Sequence, residues 1–308
     1  MERIIIDTDP GVDDAHAIMM SSAHPGVAIE ALTVVAGNVG LERTVANSCT
    51  ILDLLGEDAP IFAGCGTALV PGADDAAHVH GEDGLGDVAF GPSPRVVEKE
   101  HASAALVRLA HASPGELTLV TIGPLTNVAV ALKLDPGLPA LFKRLVIMGG
   151  AVDAHGNTPN FASEFNIYAD PEAAHIVFSA WPLLSLVGWE ATMDHGIPLD
   201  IVNQWQSTGS PRARFFSQIY RKTIQFTTTE LGRTDLLGAD GLAMAVALEP
   251  DIVQSAEQRF VTIELDGRHT RGQTTVDWYG RSGNPANVQI VRQVDQGRFQ
   301  ELMELALI

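Results

Sequence analysis

The chain has 308 residues, 46% of them hydrophobic and 19% charged, and its 38 acidic against 19 basic side chains leave a formal net charge of −19. This composition suits a packed core and excludes disordered and collagen-like classes; the charge disfavours nucleic acid and anionic membranes as partners and leaves neutral ligands and hard cations open. Cys49 and Cys65 form no C-x-x-C pair, so neither a disulfide framework nor a thiolate zinc site is expected, and without an apolar leader in MERIIIDTDPG or any run of about 18 apolar residues the expectation is a soluble, cytoplasmic protein.

In chain order, Arg3–Ile6 is a short apolar run and Asp13–Ser22 reads as a helix. Ile29–Val35 is β-branched, and Glu42–Leu55 is an amphipathic helix. Ser103–His111 reads as helix, Leu117–Ile122 as strand, Thr126–Leu132 as helix and Arg144–Met148 as strand. Pro171–Ala180 then reads as helix and Leu183–Val187 as strand. Trp205–Gly232, rich in Arg, Phe and Thr, reads as helical. Arg259–Leu265, Gln273–Asp277 and Asn287–Val291 read as strands before a closing helix over Gln296–Leu307. Continuous apolar strands separated by helices indicate an α/β chain, its parallel sheet covered by helices on both faces. With no linker or compositional break, one domain over 1–308 is expected, with a helical insertion at about 197–235.

Ligands of open α/β sheets lie beyond the carboxyl ends of the strands, so the loops after Ile6, Val35, Ile122, Met148 and Val187 are the places to look. The first of these reads Asp7-Thr8-Asp9-Pro10-Gly11-Val12-Asp13-Asp14, four carboxylates in eight residues. Asp13 as a helix cap and Asp14 as a partner of the helix dipole would account for two of them. A bound divalent cation accounts for all four, because hard cations take oxygen ligands and remove the mutual repulsion. An EF-hand does not fit, since the fifth position is Gly11 and the twelfth Ile18. The D-x-D-x-[TV] start of haloacid-dehalogenase-type phosphohydrolases is met only in its first half, because Gly11 occupies the fifth position.

The whole pattern D-x-D-P-G-x-D-D-A resembles the signature of the nucleoside hydrolases, the inosine–uridine-preferring ribohydrolase family. Further segments in order extend the resemblance over nearly the whole chain: Thr33-Val34-Val35-Ala36-Gly37-Asn38, His80-Gly81-Glu82-Asp83-Gly84-Leu85, Thr121-Ile122-Gly123-Pro124-Leu125-Thr126-Asn127, Met148-Gly149-Gly150, and Ser163-Glu164-Phe165-Asn166-Ile167 followed by Asp170-Pro171-Glu172-Ala173-Ala174. The resemblance implies the nucleoside hydrolase fold, a mostly parallel Rossmann-like sheet. It implies Ca²⁺-dependent cleavage of free ribonucleosides to base and ribose. It assigns the Ca²⁺ ligands to Asp9, Asp14, the Ile122 carbonyl and Asp240, with Asp9 also the catalytic base on a metal-bound water. It places Asp13, Asn38, Glu164 and Asn166 on ribose hydroxyls and Met148 against the sugar, and brings Phe165 into the substrate-binding set. The further sugar-binding amide is Asn157 or Asn160, and His80 either approaches the base or caps a loop. A homodimer or homotetramer is expected.

The chemistry agrees independently. Cleaving an N-ribosidic bond passes through an oxocarbenium-like state, which anionic and amide groups around a neutral sugar stabilise more than the ground state. A vicinal diol is also a natural bidentate ligand for Ca²⁺. Singly, each residue has a plainer reading: Asn38 as a turn residue, Met148 as core, Glu164 and Asn166 as neighbours on one strand face.

The sequence departs from the family at Gly238-Ala239-Asp240, where many members carry His directly before Asp to protonate the leaving base. Ala239 cannot donate a proton. His80, Glu190 and His195, and less strongly Tyr220 and Arg233, are the substitutes available. Trp189 is either core or an aromatic wall for the base. Two rivals to an N-ribosyl hydrolase follow: a Mg²⁺ phosphohydrolase with Asp7 as nucleophile, and a Ca²⁺-dependent nucleoside-binding protein without turnover. The first lacks a G-x-x-x-x-G-K-[ST] phosphate cradle.

Overall fold

A computed structural model describes residues 1–70 and 76–308. The first half runs β1 (Glu2–Thr8), α1 (Val12–Ala23), β2 (Val27–Val34), α2 (Leu41–Leu55), β3 (Ile61–Ala63), α3 (Ala77–His80), α4 (Ala102–Ala112), β4 (Leu117–Thr121), α5 (Thr126–Leu134), β5 (Arg144–Met148), α6 (Phe165–Ala169), α7 (Pro171–Ala180) and β6 (Leu184–Val187). The second half runs α8 (Trp189–Asp194), β7 (Ile197–Pro198), α9 (Leu199–Gln206), α10 (Pro211–Thr229), β8 (Asp235–Leu236), α11 (Ala239–Leu248), β9 (Val253–Arg259), β10 (Val261–Ile263), β11 (Thr274–Val276), β12 (Val288–Val294) and α12 (Gln296–Leu305).

Eight strands form one sheet in the order β3-β2-β1-β4-β5-β6-β12-β9, parallel throughout except for the antiparallel edge pair β12–β9. The order reverses between β1 and β4, so the loops leaving these two strands turn apart and open a crevice at their carboxyl ends. The acidic loop and the Ile122 loop border that crevice.

Side-chain alternation divides the core. Ile4 and Ile6 of β1 face the layer of α1, α2, α10, α11 and α12, whereas Ile5 faces that of α4, α5 and α7. Helix α11 was not foreseen as a helix, because every residue from Ala239 to Leu248 is buried and no polar face marks a 3.6-residue period. Strand β9 was missed for the opposite reason: VQSAEQR is polar and mostly exposed on the sheet edge. The expected strand at Arg259–Leu265 shortens to β10, which pairs with β11 outside the main sheet.

Between β6 and α11 the chain leaves the sheet. β7 and β8 pair antiparallel, Ile197 with Leu236 and Pro198 with Asp235, and between them α9 and α10 arch over the crevice. Ser210 caps α10, its hydroxyl accepting the Ala213 N–H, and Pro211 occupies the first turn. Phe216 and Tyr220, four residues apart, pack against His16 of α1. No helix among the described residues is long and apolar enough to cross a membrane.

Candidate active site

The loop after β1 turns directly into α1, and Asp14 closes that turn. Its Oδ1 accepts the Thr8 hydroxyl at 2.6 Å and its Oδ2 the Gly11 N–H at 2.9 Å. The cap position is therefore Gly11 and not Asp13, which corrects the capping alternative. Asn38 ties the next loop to this one: its Nδ2 donates to Asp14 Oδ2 at 3.0 Å and to the Asp9 carbonyl at 3.2 Å, and its backbone N–H to Asp9 Oδ2 at 2.7 Å. Asp9 lies between two glycines that admit no side chain. A Cβ on Gly37 would overlap Asp9 Oδ2, and one on Gly123 would stand 2.5 Å from Oδ1. That Oδ1 is buried and has no hydrogen-bond partner.

Asp7 does not share this turn. It falls on the Ile5 face of β1, where its Oδ2 accepts Thr33 Oγ1 at 2.6 Å and Asn127 Nδ2 at 3.0 Å. Turned to that face and held there by these two side chains, it does not reach the acidic turn where a phosphohydrolase nucleophile would have to stand. The loop thus brings three of its four carboxylates to the site.

Asp240, in the first turn of α11, meets them from above. Carboxylate oxygens of Asp13, Asp14 and Asp240 all come within 4.8 Å of one another. Asp9 lies outside this closest group, which Asp13 joins instead. Burial first, and mutual repulsion second, push Asp14 up to about 6, and burial likewise pushes Asp13 up to about 6. The same causes push Asp9 and Asp240 well above the ordinary carboxylate range. A buried all-oxygen donor set with excess negative charge and one orphaned carboxylate oxygen fits a hard divalent cation.

A cavity of about 470 Å³ opens over this cluster, a volume suited to a small organic ligand. Asp13, Asn38, His80, Ile122, Met148, Asn157, Glu164, Phe165, Asn166, Trp189 and Asp240 all line it. Glu164 and Asn166 are not on a strand face: Glu164 caps α6, accepting the Asn166 N–H at 2.9 Å, while its Oε2 takes the Gly150 N–H at 2.9 Å. Burial raises this carboxyl to about 7. Asn166 Nδ2 donates to the Ile122 carbonyl at 3.2 Å and to the Met148 carbonyl at 3.3 Å, joining the ends of β4 and β5. Of the two alternative amides, only Asn157 reaches the cavity. Asn160 is spent on its own loop and on the segment before β11, accepting from Thr158 Oγ1 at 2.8 Å and donating to the Arg271 carbonyl at 2.7 Å.

The far wall comes from α3, α10 and the chain around β8, and includes His78, Thr223, Phe226, Thr227, Leu231 and Arg233. Apart from Arg233, these residues had carried no signal in the sequence, since polar and apolar side chains there follow no motif. His80 Nδ1 accepts the Val12 N–H at 3.1 Å, so the proton sits on Nε2, and burial lowers the ring to about 4, leaving it neutral. Glu190 is excluded as an acid because its carboxylate holds the N–H groups of Asp153 and Val152 at 2.7 and 3.1 Å. His195 is excluded too, with one nitrogen on the Ala191 carbonyl at 2.7 Å and the other accepting the Val294 N–H at 3.1 Å. Arg233 is paired with Asp235 through two hydrogen bonds of 2.8 and 2.7 Å. Trp189 both lines the cavity and packs on the core, so the two readings of this residue coexist.

Comparison with known proteins places this arrangement. The pyrimidine-specific ribonucleoside hydrolase RihB of Escherichia coli is 33% identical over 302 residues, 98% of this chain and 96% of its own. A solved inosine-guanosine nucleoside hydrolase superposes with a TM-score of 0.93 at 34% identity, covering 99% of this chain and 98% of that one. A purine-preferring ribonucleoside hydrolase from Gardnerella vaginalis gives 0.91 at 30% identity with the same coverage. The model of the inosine-uridine preferring nucleoside hydrolase family matches residues 4–301, and the chain belongs to that family of enzymes.

Proposed function

We propose that this enzyme hydrolyses the N-glycosidic bond of free ribonucleosides with Asp9 as general base and with Ca²⁺ held by Asp9, Asp14, Asp240 and the Ile122 carbonyl, Asp13 lying close enough to share the site. The observation that carries the reading is the buried carboxylate group at the floor of a cavity whose opposite wall mixes apolar side chains such as Phe226 and Leu231 with polar ones such as Thr223 and Thr227. When bound, the cation neutralises the carboxylates, orients a water and holds the ribose diol. The unpartnered Asp9 Oδ1 accepts the proton of the attacking water. Glu164, whose oxygens retain lone pairs beyond their backbone donors, accepts a ribose hydroxyl proton, and Asn38, Asn157 and Asn166 orient the remaining hydroxyls. As the C1′–N bond breaks, its electron pair passes to the base; the water oxygen bonds to C1′ and positive charge builds on the sugar. The surrounding carboxylates stabilise that charge more than the neutral ground state.

The test is a nucleoside panel assayed for free ribose, before and after exhaustive chelation. Ribose and base should appear, chelation should abolish both, and Ca²⁺ should restore them. Full activity of metal-free protein would remove the cation from the reading, and binding without cleavage would favour the nucleoside-binding alternative. Both cysteines are free, which suits the cytoplasm; cell fractionation tests that placement. Analytical ultracentrifugation tests the proposed homodimer or homotetramer.

A further inference from the structure

We propose that the Tyr220 hydroxyl is the hydrogen-bond donor that meets the departing base, replacing the side chain that Ala239 lacks. The proposal rests on the hydrolase reading above. Tyr220 is fully buried, yet it lines the cavity, and its hydroxyl has no hydrogen-bond partner. An unpartnered buried hydroxyl is costly, and a ligand that accepts its proton removes the penalty. The ring is held in place: Phe216 packs on it at 4.2 Å between centroids and His16 stands edge-on at 6.0 Å. Ala239 lines the same cavity; of the other candidates, Glu190, His195 and Arg233 are committed elsewhere, while His80, its Nδ1 taken by the Val12 N–H, also lines the cavity.

The chemistry matches a donor that keeps its proton. Burial and the charges of Asp13, Asp240 and Asp14 make the phenol harder to ionise. Tyr220 therefore stabilises the electron pair arriving on the base through a hydrogen bond, without surrendering its proton. The C1′–N bond breaks with its pair on the base; the bond from water to C1′ forms; the water proton passes to Asp9; and the base anion takes a proton from solvent as it leaves. Hydrogen bonds to groups acquiring charge are the stronger kind, so removal should cost about 10–100-fold in rate. A substrate with a leaving group already stable as an anion should not need the bond.

The experiment compares Tyr220→Phe with the unaltered Ca²⁺-loaded enzyme on inosine, uridine and p-nitrophenyl riboside. The expected result is a loss of about 10–100-fold in kcat on the better natural nucleoside and less than about twofold on the nitrophenyl substrate. Ala239→His in the Tyr220→Phe background should recover part of the loss. Equal losses on all substrates, or none, would overturn the proposal; equal losses with reduced Ca²⁺ content would show that the hydroxyl serves a carboxylate instead. If Tyr220→Phe does not fold, 3-fluorotyrosine placed at position 220 changes donor strength at nearly constant volume. It must then alter kcat on the nucleoside and spare the nitrophenyl substrate, and equal effects on both overturn the proposal. An unaltered enzyme that cleaves none of the three substrates refutes the hydrolase reading itself.

Discussion

The floor and the far wall of the cavity are built by different rules. On the floor, Glu164 and Asn166 bond backbone at the ends of β4 and β5, while Asp14 and Asn38 bond each other and the Thr8–Gly11 turn, so their positions follow from the sheet. On the wall, α10 is attached to α3 and the loop after it by contacts such as Thr223 Oγ1 to the Val79 carbonyl at 3.4 Å and the exposed Lys222–Asp87 ion pair at 2.8 Å. The floor is thus organised for charge and geometry, the wall for shape. On the proposed reading, chemistry common to every ribonucleoside would sit on the first, and discrimination between bases would fall to the second.

The sharpest way to break this division is Asp9→Ala. If the floor carries the chemistry, kcat should fall by about 10²–10⁴-fold on every substrate, the usual contribution of a general base. Metal content measured in parallel separates loss of the base from loss of a ligand. A rate near that of the unaltered enzyme would take Asp9 out of the mechanism.

A second test concerns the electrostatic load of the floor in the absence of a cation. Burial raises Glu164 on the floor, and Asp7 on the opposite face of β1, to about 7, above their values in the unfolded chain. A carboxyl whose folded pKa is raised contributes stability that is fully present below its unfolded pKa and is lost as pH rises through the folded value. His16 and His80, lowered to about 4 by burial, act in the opposite sense only below about 6.5. Metal-free protein should therefore melt at lower temperature at pH 8 than at pH 6.5. Added Ca²⁺ should raise the melting temperature more at pH 8, where protons no longer compete for the carboxylates. A melting temperature independent of pH across this window would contradict the assigned charge states.

The smallest effect is expected on the wall. Phe226→Ala should change the ratio of kcat/KM between inosine and uridine by roughly 10-fold or less, the scale of a contact in an apolar pocket, and leave the nitrophenyl substrate nearly untouched. A loss shared equally by all three would place Phe226 with the chemistry.

The same contrast explains what could be read from the chain alone. The floor is legible because strand-end chemistry compresses into short motifs: Asp9, Asp13, Asp14, Asn38, Ile122 and Glu164 lie within segments whose spacing is set by tight turns. Asp7 was misplaced there because one residue of strand alternation turns it to the opposite face, where Thr33 and Asn127 hold it. Helix α11 and strand β9 escaped because periodicity needs two unlike faces, and the first is buried all round while the second is polar. Phe226, Thr223 and His78 were invisible for another reason. Their place on the wall depends on how α10 lies across the crevice, which is a tertiary fact with no local signature.

The two-residue clasp between β7 and β8 has a consequence for how such a molecule can change. Because Ile197 pairs with Leu236, the excursion through α9 and α10 departs and returns at neighbouring points. Lengthening or rewriting the excursion costs little closure entropy and leaves the register of the large sheet alone. Substitutions in the arch should therefore disturb the large sheet less than substitutions within its strands.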